Sequence, residues 1–427
     1  MLPLMGVVAF SLLLFGFPFF VVLVGTSLIT LLIFFPDTNM ILLIQQVVSG
    51  IKPASLVAIP MFILAGDLIT SGRAIGKLID LIKALLGHIP GGSTIVTSVS
   101  CAIFGALSGS TQASVAAIGK TMRPMMMKEG YSSSFSLALI ISASNLAWLI
   151  PPSIGFIVYG VATRTSIGQL FLAGVGPGLV LCLIFCIYGA FYAIRNKIPH
   201  SPRSNWEEKG KAFRGGIPIL GFPLIILGGI YLGYFSPTEA AAAGVLYALV
   251  LEGLVYRSLT LEKIRKIALS TGVITAVVFV LVGGGQAISW VLSYARIPQT
   301  VLPSVFGASP SALKVIIIIN IAYFIAGMFV DPIVAIYVLS PIFAPYVLHA
   351  GVDPIFLGVL VCLQGAFAGI TPPCGCNIFT AMVIFRRPYA EVIRDLAPFV
   401  AILIAMIALL IIFPQIALFL PTQVLGG

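Results

Sequence analysis

Ser108, Ser110, Thr111 and Asn145 put hydroxyl and amide oxygens into an otherwise apolar stretch, and Asp331 puts one carboxylate into another. Each cluster surrounds residues that interrupt a helix: Gly109 in the first, and Gly327 through Pro332 in the second. Peptide groups that leave helical geometry inside a bilayer cost several kcal/mol each when unpaired, so breaks of this kind line a cavity or bind something. Four such breaks are expected, at Ser108–Thr111, Asn145–Ser153, Gly327–Asp331 and Gly369–Asn377. Carbonyl, hydroxyl and carboxylate oxygens are hard ligands, suited to Na+ and not to a soft metal. Ser108, Ser110, Thr111 and Asn145, with a carbonyl near Pro151, form a candidate first Na+ site. Gly327, Asp331, Gly369 and Thr371 form a candidate second. Half-helix N-termini facing the same space favour an anion, and Ser153, Pro373 and Arg296 are candidate substrate contacts. Cation and anion sites side by side point to cation-coupled uptake of an organic anion.

Structural explanations compete at each position. Serine and threonine in an apolar helix bond back to their own backbone and ease close packing. Asp331 also fits the N-cap of the helix that follows it, a role compatible with ion binding. A carboxylate deep in a membrane costs roughly 2.5–3.5 kcal/mol and marks an ion or proton pathway by default. Capping explains Glu239, which follows Pro237 at a helix start, and Asp67 is read in the same way. Arg164 and Arg296 could meet an anionic substrate or an external partner, although rim positions are the plainer explanation. Covalent chemistry has no support: there is no glycine-rich nucleotide loop, no HExxH and no nucleophile–base pair. The six cysteines fall mostly in apolar runs, and Cys374-Gly375-Cys376 has no third cysteine or histidine near it, so no metal beyond Na+ is expected. His88, His200 and His349 are scattered.

The elements that position these residues occur twice. A shift of 221 (345 minus 124) carries Pro124 onto Pro345, Gly130 onto Gly351 and Pro151-Pro152 onto Pro372-Pro373. Each copy reads as a short hairpin followed by a discontinuous helix, the arrangement that marks a secondary transporter's binding site. With 59% hydrophobic residues, 8% charged residues and mean hydropathy +1.15, the chain cannot cover a soluble surface and is read as an all-α polytopic membrane protein.

In chain order, 3–35 is expected as one span kinked at Gly16 and Pro18, and is read as a retained helix and not a signal peptide. Residues 54–70 form a second span, and 71–90 an amphipathic arm helix in the interface. A hairpin at 93–130, a broken helix at 134–163 and a span at 166–194 follow. A polar loop at 195–214 separates the halves. Spans at 215–233, 236–256 and 270–293, a hairpin at 312–350, a broken helix at 354–386 and a span at 396–420 complete the expectation. These group as 1–92 (first scaffold spans and arm), 93–165 (first transport unit), 166–311 (scaffold spans and second arm region), 312–387 (second transport unit) and 388–427 (final scaffold span).

With the 195–214 loop in the cytoplasm, all of the 23 Lys and Arg residues fall on that side except Lys52, Arg164, Arg296 and Lys314, a strong positive-inside bias. Basic residues dispersed in short loops act as topology signals and do not suggest nucleic-acid binding. The crossing count puts the N-terminus in the cytoplasm and the C-terminus outside. The two hairpins then open to opposite sides, giving the inverted-topology repeat of alternating access.

Ile59-Pro-Met-Phe-Ile-Leu-Ala-Gly66, the Ser-Gly-Ser-Thr tip at 108–111, Pro151-Pro-Ser153, Pro237-Thr-Glu-Ala240 and Thr371-Pro-Pro373 jointly resemble the large membrane subunit of tripartite ATP-independent periplasmic (TRAP) transporters, over essentially the whole chain. The resemblance implies an elevator-type carrier in the bacterial inner membrane, with Na+ as the coupling ion. It implies two partners besides lipid: a small four-helix membrane subunit on a separate chain, and a periplasmic substrate-binding protein. It also implies organic-acid substrates such as sialic acid or C4-dicarboxylates, and ion sites at the positions matching Ser108, Ser110, Asn145, Asp331 and Thr371. A stand-alone Na+/dicarboxylate symporter of similar build is the alternative. Cys374-Gly375-Cys376 has no assigned role.

Overall fold

The computed structural model describes residues 1–199, 201–307 and 310–425; His200 lies outside them, as do 308, 309, 426 and 427 of the expected 166–311 and 388–427 groups. All regular elements among the described residues are helical. Among the described residues seven helices are long and apolar enough to cross a membrane, or eight if a bent pair counts as one span.

The N-terminal region departs from expectation. Residues 3–35 form α1 (Leu2–Leu14) and α2 (Phe19–Phe34), not one kinked span. Gly16 is left-handed at φ +74°, which only glycine adopts at little cost, and the chain reverses there. A Cβ on Gly25 would lie 3.5 Å from Leu12 Cδ1, so α1 returns along α2. After α3 (Ile41–Ile51) come α4 (Ala58–Ser71) and the expected arm, α5 (Ala74–Leu86), which buries Ile75, Leu78, Ile79 and Ile82 at helical spacing.

The first hairpin is α6 (Gly92–Ser108) and α7 (Thr111–Lys128); the first broken helix is α8 (Ser133–Ala143), a 3-10 turn (Ser144–Trp148) and α9 (Ile154–Thr163). After α10 (Ile167–Arg195) the polar connector is shorter than expected, because α11 (Trp206–Tyr231) already starts inside it. Asn205 and Glu208 form a capping box, each side chain bonding the other's backbone N–H at 2.7 and 3.0 Å, so a charged stretch still nucleates a helix. Ser236 and Glu239 do the same for α12 (Pro237–Val250), which ends in a π-helical turn (Leu251–Val255) before the 34-residue α13 (Leu261–Tyr294) and α14 (Ile297–Phe306).

The second hairpin, α15 (Ala312–Phe329) and α16 (Pro332–His349), is followed by the broken helix α17 (Pro354–Ala368) and α18 (Cys376–Phe385). Helix α16 starts and ends 221 residues after α7 (332 minus 111, 349 minus 128). A short α19 (Tyr389–Ile393) precedes α20 (Ala397–Ile412), which bends by 55° into α21 (Gln415–Leu425). Among the described residues, all five non-glycine residues with positive φ are basic: Arg164, Lys197, Arg257, Arg296 and Arg386. Arg164 and Arg386 cap α9 and α18, one in each repeat, placing cations where helix carbonyls are unpaired.

Two packing groups emerge. Helix α13 packs on α2, α3 and α4, while α12 packs on α4 and α11 on α5. The hairpins and broken helices pack on one another and on α10, α20 and α21. Helices α10, α20 and α21, of the expected scaffold spans, make their contacts with the hairpins and broken helices. The groups meet through α13 with α16, and through α4 and α5 with α6.

Candidate functional site

The first hairpin tip is built by a glycine and a serine cap. Gly109 closes α6 in the left-handed conformation at φ +61°, and the Ser110 side chain caps α7 by accepting from Ala113 N at 3.3 Å. A Cβ on Gly109 would lie 2.9 Å from the Pro152 carbonyl oxygen, so the tip docks on the break in the first discontinuous helix. From the other side, a Cβ on Gly66 of α4 would lie 2.8 Å from Ser108 Cβ. The second tip is a proline and an aspartate cap: Asp331 accepts from Ile333 N at 2.9 Å, and Pro332 opens α16. A Cβ on Gly327 would meet Ala368 Cβ of α17 at 2.4 Å. The Pro151-Pro152 and Pro372-Pro373 peptides are both cis.

Between the tips, the two repeats are joined by buried amides. Thr111 Oγ1 donates to Asn377 Oδ1 at 2.9 Å, and Asn377 Nδ2 donates to Asn145 Oδ1 at 2.9 Å. Asn377 N also donates to the Gly369 carbonyl at 2.9 Å. Both asparagines are fully buried, and Asn145 Nδ2 has no protein partner.

In front of this chain lies a cleft of about 540 Å³, bounded by both hairpin tips, both broken helices, α4 and α13. Asp67 and Asp331 line it; among the described residues no Lys, Arg or His does, and Trp148 is its one aromatic side chain. The indole edge is wedged between the repeats, since a Cβ on Gly155 would be 2.7 Å from Trp148 Cε3 and one on Gly365 would be 2.4 Å from Cζ3. A neighbouring hollow of about 270 Å³ shares Asp67 and Thr70 and is also lined by Lys263 and Lys266.

Of the residues singled out from sequence, Ser108, Ser110, Thr111, Asp331 and Gly369 line the cleft. Asn145 stands behind it in the amide chain, and Pro151 is buried in the adjoining break. Thr371, in the break, bonds back to the end of α17, Oγ1 donating to Phe367 O at 2.7 Å, and Gly327 packs on α17. The three substrate candidates are not brought to the cleft. Ser153 is buried and donates to Trp148 O at 2.8 Å. Pro373 is exposed, its carbonyl accepting from Tyr389 at 3.1 Å. Arg296 caps α14 beyond the end of α13; Leu281 is the last α13 residue at the cleft, so the uninterrupted helix carries Arg296 roughly 20 Å away.

Asp67, Gln112, Trp148 and Asn377 are site residues that the sequence did not single out as such. Asn377 carried a signal, a lone amide just after the second Pro-Pro break. Asp67 was explained away as a helix-end residue, although α4 continues to Ser71.

Residues 6–416 match the family described as the tripartite ATP-independent periplasmic transporter, DctM component. The chain is 52% identical over 410 residues to the ectoine/5-hydroxyectoine TRAP transporter large permease protein UehC of Ruegeria pomeroyi, with 96% of each chain covered. It is 52% identical over 421 residues to the ectoine TRAP transporter large permease protein TeaC of Halomonas elongata, covering 98% of this chain and 99% of that one. To the C4-dicarboxylate TRAP transporter large permease protein DctM of Pseudomonas aeruginosa it is 36% identical over 393 residues, 92% of each. The YdaH transporter of Alcanivorax borkumensis shares the fold, with a TM-score of 0.60 at 14% identity over 86% of each chain.

Proposed function

The chain belongs to the DctM-component family of TRAP transporters, as a membrane permease subunit and not an enzyme, and from that premise we propose that it imports an ectoine-type zwitterion driven by Na+. The expectation of sialic acid or a C4-dicarboxylate gives way to this because the two 52%-identical relatives are named for ectoine, while the C4-dicarboxylate relative is 36% identical. The observation that carries the reading is the charge of the cleft: two carboxylates and no basic side chain among the described residues. A dianion would enter that space against like charge. A solute with a carboxylate and a ring amidinium has no net charge to repel, and its carboxylate can face the N–H groups that open α7 and α16.

In this reading the hairpins and broken helices move as one block against α4 and α11–α13. Na+ is held by oxygens at the two tips, Ser108, Ser110, Thr111 and Asn145 at one and Asp331, Gly369 and Thr371 at the other. The hollow by Lys263 and Lys266 is on the side that the charge bias assigns to the cytoplasm. A small membrane subunit and a periplasmic binding protein complete the importer in the bacterial inner membrane.

Uptake of labelled ectoine, succinate and sialic acid into proteoliposomes tests this, with and without the two partners, in Na+ or K+, with Asp331→Ala alongside. Ectoine uptake that needs Na+ and both partners and is lost in the variant supports it. Equal uptake in K+, or uptake of succinate in preference to ectoine, overturns it.

A further inference from the structure

Asp67 is placed where ordinary structural roles do not account for a carboxylate. It lies one turn before the end of α4 at Ser71, toward the helix pole that disfavours negative charge. It is half-buried and accepts a hydrogen bond from Thr271 Oγ1 at 3.0 Å, with Ser270 beside it. No cation pairs with it: the two ion pairs among the described residues are Lys266–Glu262 and Arg387–Glu391. The basic side chains that share the adjoining hollow with it are otherwise engaged. Lys266 is 2.6 Å from Glu262, and Lys263 Nζ donates to Ser258 O at 2.9 Å. Across the cleft Asp331 already caps α16, whereas Asp67 caps nothing.

We propose that Asp67 is the counter-charge for the cationic end of the transported solute, a delocalised cation such as a ring amidinium, contributed by the packing group opposite Asp331. This rests on the zwitterion reading above and adds a specificity residue to it. Buried charges are retained where they are paired, and here the missing partner is supplied by the ligand. Asp67 would thereby distinguish a zwitterion from an acid of the same ring size that lacks the cation.

The test is equilibrium binding of labelled ectoine to the full-length chain in nanodiscs at saturating Na+, with cyclohexanecarboxylate as the cation-free competitor. Asp67→Asn keeps the size and the acceptor for Thr271 and removes the charge; Asp67→Glu keeps the charge. The expected result is ectoine affinity weakened at least ~10-fold in Asp67→Asn and near wild type in Asp67→Glu, with half-saturation by Na+ unchanged within about twofold. The wild-type protein should prefer ectoine to the cation-free acid by at least ~10-fold, and Asp67→Asn should lose most of that preference. Ectoine affinity unchanged in Asp67→Asn, an equal loss of Na+ affinity, or no wild-type preference over the cation-free acid would each overturn the assignment; the last holds even if the variant fails to fold. A wild-type protein that binds succinate and not ectoine refutes the zwitterion reading itself.

Discussion

The two hairpins have the same register, and their second arms, α7 and α16, are each 18 residues long, yet they occupy opposite environments. Helix α6 buries 14 of its 17 residues, among them Ser93, Thr94, Thr97, Ser98 and Ser100, with α5 and α10 packed over it. Helix α15 buries six of its 18. Its residues Leu313, Ile317, Ile321, Ile325 and Phe329 recur every fourth position on an exposed face. Small residues let helices approach closely inside a membrane, as where a Cβ on Gly105 would lie 2.7 Å from Ala147 Cα. A row of isoleucines is suited to lipid. The repeat therefore copies a backbone plan, and side-chain size decides which copy is enclosed.

The largest effect that this contrast anticipates is at the enclosed tip. Gly109→Val places a β-branched side chain at φ +61° and against the Pro152 carbonyl; ectoine uptake should fall to background. Gly351→Ala, at φ +65° but with open space around it, should cost only about 1–2 kcal/mol and leave uptake measurable. Comparable loss in both variants would mean that backbone strain, and not docking on the break, dominates.

Next comes packing. Leu107→Ala in the enclosed hairpin, where the side chain is fully buried, should lower unfolding free energy by about 2–5 kcal/mol. Ile325→Ala, 53% exposed on the lipid-facing row, should change it by no more than about 0.5 kcal/mol. Thermal unfolding in one detergent checks both, and equal shifts would erase the contrast.

The polar links should differ less. Asn377→Ala removes two hydrogen bonds between the halves, one to Thr111, whose hydroxyl keeps Gln112 Oε1 at 3.2 Å, and one to Asn145, whose buried amide is left without a partner, a loss of about 1–3 kcal/mol for the stranded amide. Asn320→Ala in the second hairpin breaks one such link, from Gln364, so its melting shift should be the smaller of the two. The smallest effect is expected for Arg296→Ala. The structure holds this side chain away from the cleft, and uptake should stay within about twofold of wild type, since each 1.4 kcal/mol of lost interaction would give tenfold.

Much of the fold is legible in the sequence because it depends on local backbone chemistry. The membrane class, the repeat at 221 and the breaks at Gly109 and at both Pro-Pro pairs rest on run length, on glycine's access to positive φ and on proline's missing N–H. Where reading failed, the local signal was ambiguous. Gly16 and Pro18 are compatible with a kink or a reversal, and only packing against α2 decides between them. Asn205 and Glu208 looked like loop composition until their reciprocal bonds were seen.

The sequence by itself determined that this chain is a multi-pass membrane protein, that two of its stretches align at a shift of 221, and where polar oxygens interrupt its helices. Tertiary structure alone decided which of those oxygens meet. Thr111, Asn145 and Asn377 come from distant parts of the chain and touch because α18 packs on α7 and α8. Asp67 enters the cleft because α4 faces both tips, and Arg296 leaves it because α13 runs on unbroken. Contacts across such separations depend on how helix faces pack, and no local pattern of residues records that.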